Sequence, residues 1–395
     1  MFFTKKIYAD TASATPLDRR VKRAMNQVQK VFGNPASIHA EGVLAGKTVS
    51  KARSNIAKIL KCDPDEIIFT GSGTEANNLA ISGTASVWES ERKDAGHMIA
   101  SAIEHHSVLR PVKALMKRGW GSVTLTVDQN GFINLKELDS LLSYNTALVS
   151  VGLVNNEIGT IQPIKEIAKR VKQIRKINRS RFPYFHIDAC QAPRFLEINV
   201  LKLGADLITL NSSKIYGPKG VGLLYKSRDT KLDPIIFGGG QEGGLRSGTS
   251  NVVGIVGFAK ALALCEKLRT SEVKKITAIR DYFIKRLDKE ISGIVLNGDR
   301  VQRSPNNVNV SIEGVGGELL VIELDAKKIY TSSGSACSFL SGDESHVVYA
   351  LSHSDSRAEN SIRFSFGRDV TKGDVKKIIK TLKPIVTKIR QVKVK

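Results

Sequence analysis

The sequence predicts an α/β protein, with a large domain on a mostly parallel seven-stranded sheet and a smaller α+β domain after it. Three observations point there. Short apolar runs alternate with stretches whose apolar residues recur at helical spacing, as expected of strands joined by helices. Polar or Gly-rich motifs follow several of the runs, where open α/β sheets bind their ligands. The alternation stops near Asn251 and gives way to one long helical stretch.

The strand-like runs are residues 67–69, 97–100, 123–127, 147–153, 184–187, 207–210 and 222–225. Helical patterns at 108–118 and 164–177 lie between some of them. From Val252 a helical stretch reaches about Leu287. A strand at 307–312, a Gly-rich bend at 314–317, a helix at 318–324 and a last helix from Asp374 complete the smaller part. The division is therefore 14–251 for the large domain and 252–395 for the small one, with residues 1–13 folding back onto the latter. The chain shows no internal repeat, low-complexity segment or Pro/Ser-rich linker.

Composition narrows the class. With 395 residues and 41% hydrophobic content the chain can bury a full core. No apolar run approaches the ~18 residues that span a bilayer. Residues 1–10 have no apolar signal core and no small-residue cleavage site, so a cytoplasmic protein is expected. Cys62, Cys190, Cys265 and Cys337 are scattered with no CxxC pair, which argues against a disulfide framework and against zinc. Lys and Arg number 60 against 38 Asp and Glu, a net charge of +22. Much of this excess falls at 165–181 and 372–395, between apolar residues at helical spacing. Solvated faces of two amphipathic helices account for it, and a weak nucleic-acid or acidic-partner contact is the competing reading.

Five local patterns could carry chemistry. Thr70-Gly71-Ser72-Gly73-Thr74-Glu75 follows a strand and opens a helix, so Gly73 and Thr74 could cradle a phosphate at a helix N-terminus; an ordinary capped turn fits equally. Asp188 ends a strand and could hold a protonated pyridine nitrogen, or simply cap the next helix. Lys214, in a tight polar loop after another strand, suits a Schiff base with an aldehyde cofactor; Lys219 is nearby and could be confused with it. Cys337 stands in the small-residue run Ser332-Ser333-Gly334-Ser335-Ala336-Cys337, which suits a thiol that must travel, although most lone cysteines are structural. Arg363 could clamp a carboxylate in a bidentate fork, or make a structural ion pair.

Taken in order, these segments resemble the NifS/IscS-type cysteine desulfurases, fold-type I pyridoxal-phosphate (PLP) enzymes of the class-V aminotransferase family. Phe32-Gly33-Asn34-Pro35, Glu104-His105, Asn155-Asn156-Glu157, Arg246-Ser247-Gly248-Thr249 and Asn306-Asn307-Val308-Asn309 extend the resemblance across nearly the whole chain. It implies that Lys214 bonds to PLP and that Asp188 pairs with the pyridine nitrogen. It places Gln191 and Asn155 by the phenolic oxygen and stacks His105 on the ring. Gly73, Thr74, Asn211 and Ser213 then bind the phosphate, and Thr249 reaches the phosphate of a second subunit in a homodimer. Asn34 and Arg363 hold the carboxylate of L-cysteine, and Cys337 takes the sulfur as a persulfide for an acceptor protein, an iron–sulfur scaffold or a tRNA-thiolation protein.

The chain departs from the family pattern at Ser213, where His is usual, at Asn211 for Ser, at Cys190 for Thr and at Gly243 for Arg. The family's longer C-terminal tail, which docks the scaffold, is also not matched. Two other readings compete: a selenocysteine lyase or other PLP lyase of the same fold, and a basic RNA- or partner-binding protein on a decayed scaffold. The Cys337 loop favours the desulfurase over the lyase. Cys337 separates the first alternative and cofactor binding the second.

Overall fold

The computed structural model describes residues 5–334 and 344–393. Its centre is a seven-stranded sheet in the spatial order Ile67–Thr70, Gly222–Lys226, Leu207–Asn211, Tyr184–Asp188, Thr146–Gly152, His97–Ser101 and Gly121–Leu125. Only Gly222–Lys226 runs antiparallel to its neighbours, and the other pairings are parallel. Thr146–Gly152 and Leu207–Asn211 are buried at nearly every position, because helices cover both faces of the sheet. That is why these strands read as mostly apolar runs, interrupted only by small polar residues such as Ser150 and Thr209, rather than as alternation.

The strand expected at 123–127 forms two residues earlier, and Val127 makes an isolated bridge to Ile133. The helices Ala40–Leu60 and Arg19–Val28 are not anticipated by the sequence reading. In the first, Val43 and Leu44 are 42% and 48% exposed, which blurs its apolar stripe. The helices Ile164–Asn178 and Lys372–Lys393 bury Ile164, Ile167 and Val171, and Val375, Ile378, Ile379 and Leu382. Their basic residues are left largely on the solvated side.

A second core gathers around the antiparallel sheet Ser361–Ser365, Asn307–Ile312 and Ile294–Leu296. Ile7–Tyr8 pairs with Ile329–Tyr330 at its margin, and Ile7 and Ala9 pack into this core. The 39-residue helix Val252–Glu290 serves both cores. Val252 to Cys265 pack with the large sheet, whereas Ile276 to Leu287 pack with the small one. The change of pattern at Asn251 is thus the start of a shared helix, with the seam between the cores about five turns along it.

Candidate active site

The carboxyl ends of the strands converge on one cavity of ≈ 220 Å³. Ser101 leads to Glu104 and His105, Gly152 to Asn155, Asp188 to Cys190 and Gln191, and Asn211 to Lys214. Thr70 leads to the helix Gly73–Arg92, which opens on the same space. Arg363 enters from the small sheet, and Ala12 and Ser13 close the gap between the two.

Lys214 follows the strand Leu207–Asn211 in a short turn that Asn211 caps by accepting from the Ser213 N–H at 3.2 Å. Its Nζ donates to the carbonyls of Ala12 (3.0 Å) and Ser13 (2.5 Å). Burial lowers the amine below the ordinary lysine value, so its neutral, nucleophilic form is within reach. Lys219 is exposed and outside the cavity.

Asp188 accepts from the Cys190 N–H at 2.9 Å and from Asn77 Nδ2 at 2.8 Å. Asn77 Nδ2 also donates to Ser107 Oγ at 2.8 Å, and Ser107 Oγ meets His105 Nδ1 at 2.7 Å. A continuous relay therefore joins Asp188 to His105. His105 Nδ1 accepts from the Ser107 N–H at 3.0 Å, which leaves the proton of the neutral ring on Nε2. Burial lowers the His105 pKa and keeps the ring neutral. Glu104, fully buried beside it, is pushed up to about 7, chiefly by desolvation.

Ser72 caps the helix Gly73–Arg92. The first N–H groups of a helix have no partner within it, and here Gly73 and Thr74 bring theirs to the cavity. A Cβ on Gly73 would lie 2.8 Å from Cys190 Sγ, so glycine is what permits the close approach. Burial raises the Cys190 thiol well above its ordinary value, and it faces the cavity as a neutral group. Arg363 is 1% exposed. Its Nη2 donates to Asp10 Oδ1 (2.8 Å) and Ser13 Oγ (2.7 Å), and its Nη1 to the Asn156 carbonyl (3.0 Å). The structural ion pair and the cavity-facing guanidinium are thus the same residue.

The cavity unites Gly73, Thr74, His105, Asn155, Asp188, Gln191, Asn211, Lys214 and Arg363. Asn155 spends its side chain on backbone, donating to the Ile103 carbonyl and accepting from the Glu157 and Ile158 N–H groups. Ser213 turns its hydroxyl to Asn211 Oδ1 and does not line the space. Asn34 is not brought to Arg363: it is exposed and caps the Ala36 N–H within its own loop. Thr249 is exposed in a separate hollow with Phe69, Arg246 and Ile255. Cys337 lies outside the described residues. The sequence reading misses Asn77, Glu104 and Asp10 as functional side chains. Asn77 had a usable signal, since it stands one helical turn beyond Gly73 and so shares its face.

The residues present fit PLP. A carboxylate on a strand end, an amine shifted toward neutrality and a glycine-bearing helix N-terminus face one space, into which Asn77 Oδ1 and Arg363 Nε bring buried, unpartnered polar atoms. The fold and site define a fold-type I PLP-dependent enzyme. The chain matches the model of the class-V aminotransferases over residues 7–378. It is 42% identical over 389 residues to the cysteine desulfurase IscS of Dictyoglomus turgidum, covering 98% of this chain and 96% of that one. A solved NifS-like protein superposes with a TM-score of 0.89 at 32% identity, covering 97% of this chain and all of the other. SspA in complex with cysteine superposes at 0.77 and 32% identity over 92% of this chain and 99% of that one. The chain belongs to the class-V aminotransferase family and, within it, to the cysteine desulfurases.

Among the described residues no helix is long and apolar enough to cross a membrane. Nor does any group of three or more His, Cys, Asp or Glu among them stand together as a metal site.

Proposed function

We propose that this chain removes sulfur from L-cysteine, releases L-alanine and takes the sulfur onto Cys337 as a persulfide. The observation that carries the reading is the single cavity in which Lys214, Asp188 and His105 on the large sheet face Arg363 on the small one. PLP bound there supplies an electron sink for charge developed on the substrate carbon. Asp188 holds the positive pyridine nitrogen, and Asn77 fixes the Asp188 carboxylate. The N–H groups of Gly73 and Thr74 take the phosphate, with Asn211 beside them.

Arg363 holds the substrate carboxylate, and Asp10 keeps the guanidinium oriented. Lys214 is the base for the Cα proton: its amine is shifted toward neutrality, whereas the proton on His105 Nε2 makes that ring a donor. The sulfur then passes to the Cys337 thiolate, which attacks the substrate sulfur as the Cβ–S bond breaks. Gly334 and Ser345, on either side of the segment that carries Cys337, both lie beside Glu157. Ser345 Oγ donates to Glu157 Oε2 at 2.6 Å, and Glu157 adjoins the cavity residue Asn156. This placement supports delivery of the thiol to the substrate.

The reading includes a homodimer. Phe32, Ile38 and Phe237 are 80%, 97% and 82% exposed, apolar side chains that a second copy would cover. Thr249, outside its own cavity, completes the phosphate site of the second copy. The persulfide is destined for an acceptor protein serving iron–sulfur assembly or tRNA thiolation.

The test is an absorbance spectrum of the purified protein, then L-cysteine with a reductant and assays for sulfide and alanine. A yellow protein giving both in equal amounts is expected. Cys337→Ala keeps the absorbance and loses persulfide and sulfur transfer. Undiminished transfer in that variant would remove Cys337 from the mechanism, and a colourless protein that PLP cannot restore would remove the enzyme reading.

A further inference from the structure

Tyr216 stands two residues after Lys214 in a conformation that bulky side chains rarely adopt, with φ of +63°. Such a backbone persists only where its surroundings hold it. Tyr216 is 4% exposed, and both of its backbone polar groups are held. Its N–H donates to Thr15 Oγ1 at 2.6 Å, and its carbonyl accepts from the Asp18 N–H at 3.1 Å.

The ring faces two guanidinium groups, Arg368 at 3.9 Å and Arg194 at 4.8 Å from its centre. Its hydroxyl accepts from the Arg368 backbone N–H at 2.8 Å. A Cβ on Gly367 would lie 2.9 Å from that hydroxyl, so the chain leaving the strand Ser361–Ser365 comes this close only as glycine. Glu272 forms ion pairs with Arg368 at 2.8 Å and with Arg194 at 3.9 Å, and Asp18 pairs with Arg368 at 2.5 Å. Glu272 sits on the shared helix at the seam, between Cys265 in one core and Ile276 in the other.

We propose that Tyr216 is a positioning residue that locks the Lys214 turn to Gly367 and Arg368, and so fixes Lys214 relative to Arg363. The inference rests on the roles given to those two residues above. Lys214 belongs to the large core and Arg363 to the small one, yet one substrate molecule must meet both. The stretch from Asp10 to Ser13 joins them on the cavity side, through its carbonyls to Lys214 and through Asp10 and Ser13 to Arg363. The Tyr216 cluster is a second link, joined to the same N-terminal stretch through Thr15 and Asp18 but reaching the small core at Gly367 and Arg368, and two points of attachment determine a relative position that one leaves free to pivot.

The test compares substrates with and without the group that Arg363 binds. In the holoenzyme, Tyr216→Phe keeps the ring against both guanidiniums and removes the hydroxyl that accepts from the Arg368 N–H and, at 3.4 Å, from Arg194 Nη2. The prediction is an unchanged cofactor absorbance maximum and a melting temperature close to wild type. The ratio of kcat/KM for L-cysteine to that for cysteamine, which has no carboxylate, falls by on the order of tenfold or more. Arg368→Lys, which keeps the charge but loses the planar contact, shifts the ratio the same way. If cysteamine turnover is too slow to read, the affinities of L-alanine and ethylamine, followed by cofactor absorbance, carry the same comparison.

Equal losses on both compounds, or no loss, overturn the proposal, because a purely structural role does not distinguish them. A wild-type protein with neither absorbance nor turnover fails at the earlier step and shows that the functional reading itself is wrong.

Discussion

The two walls of the cavity are built in different ways. On the large sheet each functional side chain ends or follows its own strand, as Asp188 ends Tyr184–Asp188 and Lys214 follows Leu207–Asn211. At the seam, Asp18, Arg194, Tyr216, Glu272 and Arg368 meet from five separate stretches of chain. A parallel sheet delivers strand-end residues to one edge by its topology alone. A seam delivers nothing until both cores have formed and docked. The sheet edge should therefore concentrate the chemistry, and the seam should concentrate the stability and the alignment.

The sharpest way to break this contrast is Lys214→Ala. Among the described residues the amine is the cavity's only lysine, is held by two carbonyls and makes no ion pair. Its loss should lower kcat by at least the 10²–10⁴-fold typical of a positioned proton-transfer group, and should abolish the covalent cofactor absorbance. The melting temperature should stay close to wild type, since no buried charge loses its partner. Thermal unfolding beside a turnover assay checks both halves. A large drop in melting temperature would mean that the sheet edge carries stability after all.

Glu272→Ala is the opposite case. Among the described residues it leaves Arg194, 3% exposed, without its only carboxylate and takes one of two from Arg368. Breaking a buried pair by removing one partner typically costs about 3–5 kcal/mol. Urea unfolding should show a loss of that order, with the midpoint moved far more than for Lys214→Ala. A loss under about 1 kcal/mol would show that the seam is solvated enough to do without this carboxylate.

The same contrast explains what was legible in the sequence. Gly73, Asp188 and Lys214 each stand just after an apolar run, so their positions at the strand ends could be read directly. Asn34 and Ser213 were assigned by resemblance, but the local turns use their side chains, one on the Ala36 N–H and the other on Asn211. Tyr216 and Glu272 gave no signal, because a left-handed tyrosine and an acid inside a helix look ordinary until their distant partners are in place. The boundary at Val252 was misleading for a related reason: periodicity marks where a helix starts, whereas the seam is set by which core each of its turns packs against.

Glu104 tests the contrast most finely, because it is a charge-bearing group on the sheet edge that should affect stability through protonation alone. Burial raises its carboxyl from 4.5 to about 7. The folded protein thus binds this proton more tightly than the unfolded chain does. Its contribution is complete below pH 4.5 and is lost as pH rises through 7, which amounts to about 3 kcal/mol at most. Glu104→Gln cannot titrate, so its stability should fall less than wild type between pH 4.5 and 7.

His186, depressed to about 4 by burial, acts in the opposite sense, costing stability as pH drops through its range. It is present in both proteins and cancels in the difference. The difference in unfolding free energy between variant and wild type, measured from pH 5 to pH 8, should therefore climb by about 1–3 kcal/mol in favour of the variant. A poorer fit of the amide to the Ser101 hydroxyl, now donating to Glu104 Oε1, shifts the difference by a constant at every pH and leaves the climb unchanged. A flat difference would place the Glu104 proton in the ordinary carboxylate range, and the cavity floor would then carry a negative charge beside His105 at neutral pH.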